Sequence, residues 1–365
     1  MKMFRPWMTL QQTDMSESRN SSDQNLVELH DVKKWFPVQQ GLLDSIFSRG
    51  SAEHVRAVDG VSFNIRKGEV FGLAGESGSG KSTIGRLALR LLNATEGTVR
   101  FDGVDLSTLK NEEMRHLRQR MQVVFQDPMA SLSPRMTAGD AVSHPLVIHH
   151  PEESGNKRER AEELLELVGL TPASLFYDKY PHQISGGQRQ RVVIARALIT
   201  SPELVVADEP IAMADVSVRA LLLDLMVRLK NELKLTYLFI THDLATAKYI
   251  CDRIGILYLG KMAELGPLSS VYRNPQHPYT RALLAAVPVP DPNYRRQEPL
   301  PRGEIPSPIN PPSGCRFHPR CPIAEEVCRQ EIPEMLPFRE EPEHLVACHL
   351  RTGNYQHLDP ERHGN

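Results

Sequence analysis

Nine residues, Gly75 to Thr83 (GESGSGKST), constrain this chain more than any other stretch. They follow the apolar run Val70-Phe71-Gly72-Leu73-Ala74 and precede a helical pattern from Ile84 to Leu92. A strand, a glycine-rich turn and a helix in that order form the setting of a phosphate-binding loop. Gly75, Gly78 and Gly80 let the backbone curl so that N–H groups, those of Ser77 and Ser79 among them, face inward at an anion. The helix behind adds the positive end of its dipole. Lys81 can reach the β- and γ-phosphates, the Ser82 hydroxyl can ligate Mg²⁺, and Thr83 completes the pattern. A glycine-rich turn would match this pattern by accident in roughly one chain in a hundred of this length. The stretch therefore predicts binding of a nucleoside triphosphate.

The 365 residues suffice for one large or two moderate domains. Lys and Arg number 43 against 45 Asp and Glu, so no overall basic field points to nucleic acid. No apolar run approaches the length of about 18 residues that spans a bilayer. Residues 1–25 have no apolar signal core and read as a disordered, polar lead-in, which makes a cytosolic protein the expectation. The five cysteines then read as thiols or metal ligands rather than disulfides.

Along the chain, Leu26 to Val32 alternates as a half-buried strand, with Trp35 and Phe36 at its end. A Gly/Ser-bearing segment from Gly41 to Ala52 follows, and Val55 to Ile65 predicts a strand pair with a turn at Asp59-Gly60. Gly97 to Leu106 predicts a hairpin around Asp102-Gly103, and Met121 to Phe125 a short buried strand. From about 128 to 200 the pattern is mainly helical, with clear helices over Asn156–Leu170 and Arg189–Ile199. Leu204 to Ala207 reads as a buried parallel strand ending in Asp208-Glu209. An amphipathic helix over Val218–Leu233 and strands over Tyr237–Ile240 and Ile254–Leu259 follow. Alternating strands and helices indicate an α/β core with a largely parallel sheet. A proline-rich linker spans 287–313, a cysteine-bearing segment 314–350 and a polar tail 351–365.

The carboxylates Asp208 and Glu209 offer one group for Mg²⁺ and a second to polarise an attacking water. Alone, such a pair reads as a solvated strand end; downstream of a phosphate loop it reads as chemistry. A third element, Ile184-Ser185-Gly186-Gly187-Gln188, opens a helix and makes another anion site, where by itself it would be an ordinary capped helix.

Together these motifs resemble the ATP-binding-cassette ATPases, with ISGGQ for the usual LSGGQ. The resemblance covers residues 26 to about 286 and implies an α/β P-loop NTPase: a RecA-like parallel core, an antiparallel β subdomain and an inserted helical subdomain over about 128–200, followed by a small cysteine-containing C-terminal extension. It assigns Gln126, in VFQDP, to the loop that contacts Mg²⁺ and the transport partner, and His242, in ITHDL, to the γ-phosphate and water. Glu209 becomes the general base and Asp208 the organiser of the metal shell. Phe36 matches the aromatic that stacks on adenine, with Trp35 the neighbouring alternative. The resemblance further implies a head-to-tail dimer, each ATP lying between the Lys81 loop of one subunit and Ser185-Gly186-Gly187 of the other. One departure stands out. Where the family reads SALD, this chain has Ala212-Met213-Ala214-Asp215: the aspartate survives and the serine does not.

Cys315, Cys321, Cys328 and Cys348, with His318, His344 and His349 nearby, suggest a metal site, with a disulfide or incidental cluster as the alternative. Cys251 reads as a buried small residue. This tail, preceded by NPQHPYTRALLAAVPVPDP, resembles the C-terminal region of dipeptide/oligopeptide permease ATP-binding subunits. The flanks KYPHQISGGQRQR and VFQDPMASLSPRMT agree, although Met129 and Ser133 replace a commoner Tyr and Asn. That branch implies a [4Fe-4S] cluster on the four cysteines, with zinc as second choice. It also implies a bacterial importer subunit on the cytoplasmic face of the inner membrane. Two transmembrane permeases would dock beside Gln126 and the helical region, and a periplasmic solute-binding protein would act indirectly. The partner ATPase would be a paralogue or a second copy. Two other classes compete: a soluble cassette ATPase of DNA repair or ribosomes, and a chiefly regulatory nucleotide-binding subunit, which the altered AMAD segment suggests.

Overall fold

The computed structural model describes residues 24–38, 53–287, 303–339, 341–352 and 354–360. The lead-in up to residue 23, the Gly41–Ala52 segment, residues 288–302 of the proline-rich stretch and the last five residues lie outside them.

Strand β1 (Asn25–Pro37) pairs antiparallel with β2 (His54–Arg66) and with β4 (Glu96–Phe101). A short β5 (Val104–Asp105) closes the expected hairpin, turning at Asp102 and Gly103 with φ of 50° and 79°. The turn predicted at Asp59-Gly60 is not there. β2 runs through it as one strand, and the register shift opposite Val32 and Lys33 marks a bulge. Gly60, at φ 83°, takes the extra residue, while Val58, Val61, Phe63 and Ile65 stay buried on either side.

The main sheet runs β6 (Met121–Val124), β7 (Leu204–Asp208), β8 (Thr236–Thr241), β3 (Val70–Ala74) and β9 (Arg253–Tyr258), all parallel. β10 (Lys261–Pro267) continues it antiparallel to β9, with β12 (Glu341–Val346) and β11 (Leu336–Phe338) beyond. The near-continuous apolar runs of β3, β7 and β8 suit strands covered on both faces. The cysteine-bearing segment is thus hydrogen-bonded into the main sheet, through Glu264 opposite Val346 and Leu265 opposite Leu345.

Helix α1 (Lys81–Ala88) follows β3. The region after β6 is helical as expected, with α2 (Ala138–His149), α3 (Lys157–Leu167) and α4 (Gly186–Leu198) packed through Val142, Leu146, Leu165 and Val192. α5 (Val216–Leu233), α6 (Leu244–Ile250) and α7 (Pro278–Ala285) complete the elements used below. Cys251 is buried and fills space against Gly72, whose absent side chain leaves room for its sulfur. No helix among the described residues is long and apolar enough to cross a membrane.

Candidate functional site

Parallel register decides where the chemistry gathers. Ala74 lies level with Thr241, Asp208 with Ile240 and Val124 with Ala207. The segments leaving β3, β6, β7 and β8 therefore emerge along one carboxyl edge, where open α/β sheets bind ligands. Gly75–Gly80, Gln126, Asp208-Glu209 and His242 occupy that edge.

The loop needs its glycines for close approach. A Cβ on Gly75 would stand 2.2 Å from the Leu257 carbonyl oxygen, and one on Gly80 equally close to that of Ala57. Gly80 also has φ 108°, outside the range that side chains favour. Lys81 is buried, and its ammonium donates to the carbonyl oxygens of Gly75 and Glu76, both at 2.8 Å. Burial lowers its pKa, and the carboxylates of Glu209, Asp208 and Glu76 oppose that shift. Ser77 and Gly78 are exposed at the loop crest, Ser79 is buried, and Thr83 is half-buried.

Ser82 Oγ donates to Asp208 Oδ1 at 3.0 Å. Burial raises the Asp208 pKa; the Ser82 hydrogen bond opposes this and the Glu209 charge adds to it. A hydroxyl and a carboxylate in contact fit a hard cation that takes oxygen ligands. Both line an open cavity of about 500 Å³ together with Gln126, Arg86 and Arg196, two cations suited to phosphate.

Glu209 stands at φ 49°, a left-handed conformation unusual for a glutamate, held by its N–H to the Ile240 carbonyl at 2.9 Å. Its Oε2 accepts from Gln126 Nε2 at 2.9 Å, and its Oε1 lies 2.9 Å from His242 Nδ1. Three elements distant in sequence thus meet on one carboxylate.

The other expected site residues make different contacts. Ser185 caps α4 by accepting from the Gln188 N–H at 3.3 Å, and Gln188 Oε1 accepts in return from the Ser185 N–H at 2.9 Å. Gly187 packs on α5: a Cβ there would meet Val218 Cγ1 at 2.8 Å. Gly186 lines a neighbouring cavity with Asp127, Met213 and Ala214 and not the one holding Ser82 and Asp208. Asp215 is exposed and makes no side-chain cap at the start of α5. Phe36 pairs with Val55 in β2, two residues from the Ala57 carbonyl that crowds Gly80, and is half-buried. Trp35 is engaged elsewhere, its Nε1 donating to Asp59 Oδ1 at 3.0 Å.

In the tail the four cysteines are free thiols lining one small apolar cavity with His318 and His349. Among the described residues no three His, Cys, Asp or Glu side chains form a group that could hold a metal ion. Burial pushes the Cys315 and Cys321 thiols up to about 12, and raises Cys328 and Cys348 as well. The Arg351 charge opposes that rise at Cys321 and Cys348. His344 is not part of the cavity: its Nε2 lies 2.7 Å from Glu264 Oε1, both fully buried.

Sequence reasoning overlooked a second layer beneath the phosphate loop. Tyr279, on α7, accepts from the Glu76 N–H at 2.8 Å, Gly260 N–H donates to the Ser79 carbonyl at 2.8 Å, and Arg320 reaches the Glu76 carboxylate. These residues sit outside any motif core. Their only signal was the branch-specific text around Tyr279 and the cysteines.

A phosphate loop on a parallel sheet, a metal-suited Ser–Asp pair and a glutamate held by glutamine and histidine are the arrangement of an ATP-binding-cassette ATPase. The family model for ABC transporters matches residues 58–212, and that for the oligopeptide/dipeptide transporter C-terminal region matches residues 263–328. The chain is 49% identical over 334 residues to the oligopeptide transport ATP-binding protein AppF of Bacillus subtilis, covering 90% of this chain and 98% of that one. It is 50% identical over 307 residues to a putative peptide import ATP-binding protein of Brucella ovis, covering 82% and 96%. Among solved structures it resembles the dimeric, post-hydrolysis ATP-binding cassette MJ0796 bound to ADP and Pi: TM-score 0.58, 32% identity, 66% of this chain and 98% of that one. The chain belongs to the ABC transporter ATP-binding proteins of the oligopeptide/dipeptide branch.

Proposed function

We propose that this chain is the ATP-hydrolysing subunit of a bacterial importer for di- and oligopeptides or related small solutes. The observation that carries the reading is the meeting of Gln126 and His242 on Glu209, beside the Ser82–Asp208 pair and the Lys81 loop. Identity to peptide transport ATP-binding proteins along most of the chain supports the substrate class.

In this reading Gly75–Thr83 bind the triphosphate and Phe36 stacks on adenine. Ser82, Asp208 and Gln126 would hold Mg²⁺, which supplies charge neutralisation on the phosphates. Glu209 takes the proton of the attacking water, and Gln126 and His242 orient its two oxygens. Ser185, Gly186, Gly187, Gln188 and Asp215 act on the ATP of a partner ATPase, either a paralogue or a second copy. Gly186 lining a cavity other than the one that holds Ser82 and Asp208 supports that placement. Two transmembrane permeases would dock at the helical region, at the cytoplasmic face of the inner membrane, with a periplasmic binding protein delivering solute.

The AMAD segment favours weighing a regulatory subunit against a motor. Arg219 fixes the segment's backbone, donating from Nε to the Ala214 carbonyl at 2.9 Å and from Nη2 to that of Ala212 at 3.4 Å. The loop's backbone is thus held without the serine, which supports the motor. Steady-state ATP hydrolysis by the assembled transporter should change less than about threefold on Ala212→Ser, the scale of one weak hydrogen bond. Turnover that appears only once the serine is restored would assign the chain to regulation.

For the tail we propose an iron–sulfur cluster, with zinc second, on the four thiols that line one apolar cavity, although among the described residues they do not stand as a formed metal-holding group. Anaerobically purified protein should then carry iron and acid-labile sulfide, and lose both on Cys321→Ser. Zinc without sulfide, or no metal, would reject the cluster.

A further inference from the structure

The cysteine-bearing segment reaches back into the nucleotide site through two arginines placed just inside the first two cysteines, Cys315-Arg316 and Arg320-Cys321. Arg316 donates to the Asp59 carboxylate and the Leu259 carbonyl. Asp59 also holds Trp35 Nε1, beside Phe36, and its N–H donates to the Gly260 carbonyl, whose own N–H holds Ser79. Arg320 acts more directly. Its Nη1 and Nη2 donate to the two oxygens of Glu76 at 2.8 and 3.1 Å, a fork on the second residue of the phosphate loop.

The Arg320 side chain is only 8% exposed, beside the rings of Tyr258 and Phe317, whereas the Glu76 side chain is 25% exposed. Its Nε has no acceptor among the described residues, so Glu76 takes most of its pairing. Glu76 is clamped at its backbone too: its N–H donates to Tyr279 Oη and its carbonyl accepts from Lys81. A carboxylate in a loop that must receive a polyanion is an electrostatic liability. Its charge already acts on Lys81. Arg320 cancels it and turns it toward the tail.

We propose that Arg320 is a positioning residue of the nucleotide site, neutralising Glu76 and holding it away from the bound triphosphate, so that the C-terminal cysteine segment is a working part of ATP binding. The proposal rests on reading Gly75–Thr83 as the ATP loop.

The test is ATP binding and steady-state kinetics on the full-length chain, in its transporter, for Arg320→Gln, Arg320→Lys and the double variant Arg320→Gln/Glu76→Gln. Arg320→Gln leaves a bare carboxylate by the phosphates and should weaken ATP binding about tenfold or more, the scale of a charged hydrogen-bonded pair. The loss should fall on KM, with kcat within about twofold. Arg320→Lys keeps the charge but not the fork and should recover part of the loss. The double variant, having no charge left to cancel, should recover most of it. Arg320→Gln binding ATP as wild type does would overturn the proposal. Equal weakness in the single and double variants would also overturn it, by assigning the effect to folding of the tail. If Arg320→Gln does not fold, Arg320→Met, which keeps the stem and loses the charge, decides, and an unchanged affinity there refutes the idea. Lys81→Ala separates the two levels: if it too binds ATP normally, the loop reading itself has failed; if it alone is impaired, only the role of Arg320 has.

Discussion

Glu209→Gln is expected to lower ATP turnover by about 10²–10⁴-fold, the usual worth of a general base, while ATP still binds. The substitution keeps the size of the side chain and the oxygen that faces one partner, but it removes the carboxylate proposed to accept the proton. In the native site both Glu209 oxygens are engaged, one by Gln126 Nε2 and one by His242 Nδ1, so the carboxylate is held in a single orientation. Its left-handed backbone, at φ 49°, aims it from the end of β7. Hydrolysis measured at saturating ATP, beside equilibrium nucleotide binding, separates the two effects. Turnover within tenfold of wild type would remove Glu209 from the chemistry.

Lys81→Ala should act on binding instead. The ammonium lies inside the loop on the Gly75 and Glu76 carbonyls, and its burial already lowers its pKa. Its removal forfeits charge-assisted hydrogen bonds to phosphate worth about 1.5–3 kcal/mol, or about 10- to 100-fold in affinity. It also leaves the Asp208, Glu209 and Glu76 charges near the phosphates with less to oppose them. Folding stability should fall little, because the buried charge pays its own desolvation in the native state. Titration calorimetry with ATP and thermal unfolding of the same sample test both halves.

These residues were legible in the sequence because each lies in a local pattern with a physical reason: a glycine turn between strand and helix, carboxylates after an apolar strand, a histidine after another. Parallel pairing then brought them to one edge without any further information. What the sequence hid was non-local. Asp59-Gly60 carries the usual text of a hairpin turn, yet Gly60 accommodates a bulge and Asp59 is buried beneath Arg316 and Trp35. The apolar alternation that continues on both sides was the cue against a turn. β10 and the strands at 336–346 were overlooked because short antiparallel additions to a sheet edge have little periodicity of their own. Glu76 occupies a position of the loop pattern that accepts any residue, so nothing local announced its pairing with Arg320. His344 read as a metal neighbour by proximity in sequence, whereas Glu264, in β10, claims it.

The most direct test of the account is uptake of a labelled dipeptide into proteoliposomes carrying the permeases, the partner ATPase and this chain, with ATP hydrolysis recorded in the same vesicles. The account predicts that wild type couples the two and that Glu209→Gln in this chain abolishes both. Uptake and hydrolysis continuing undiminished with Glu209→Gln would contradict it, and would place the motor in the partner alone.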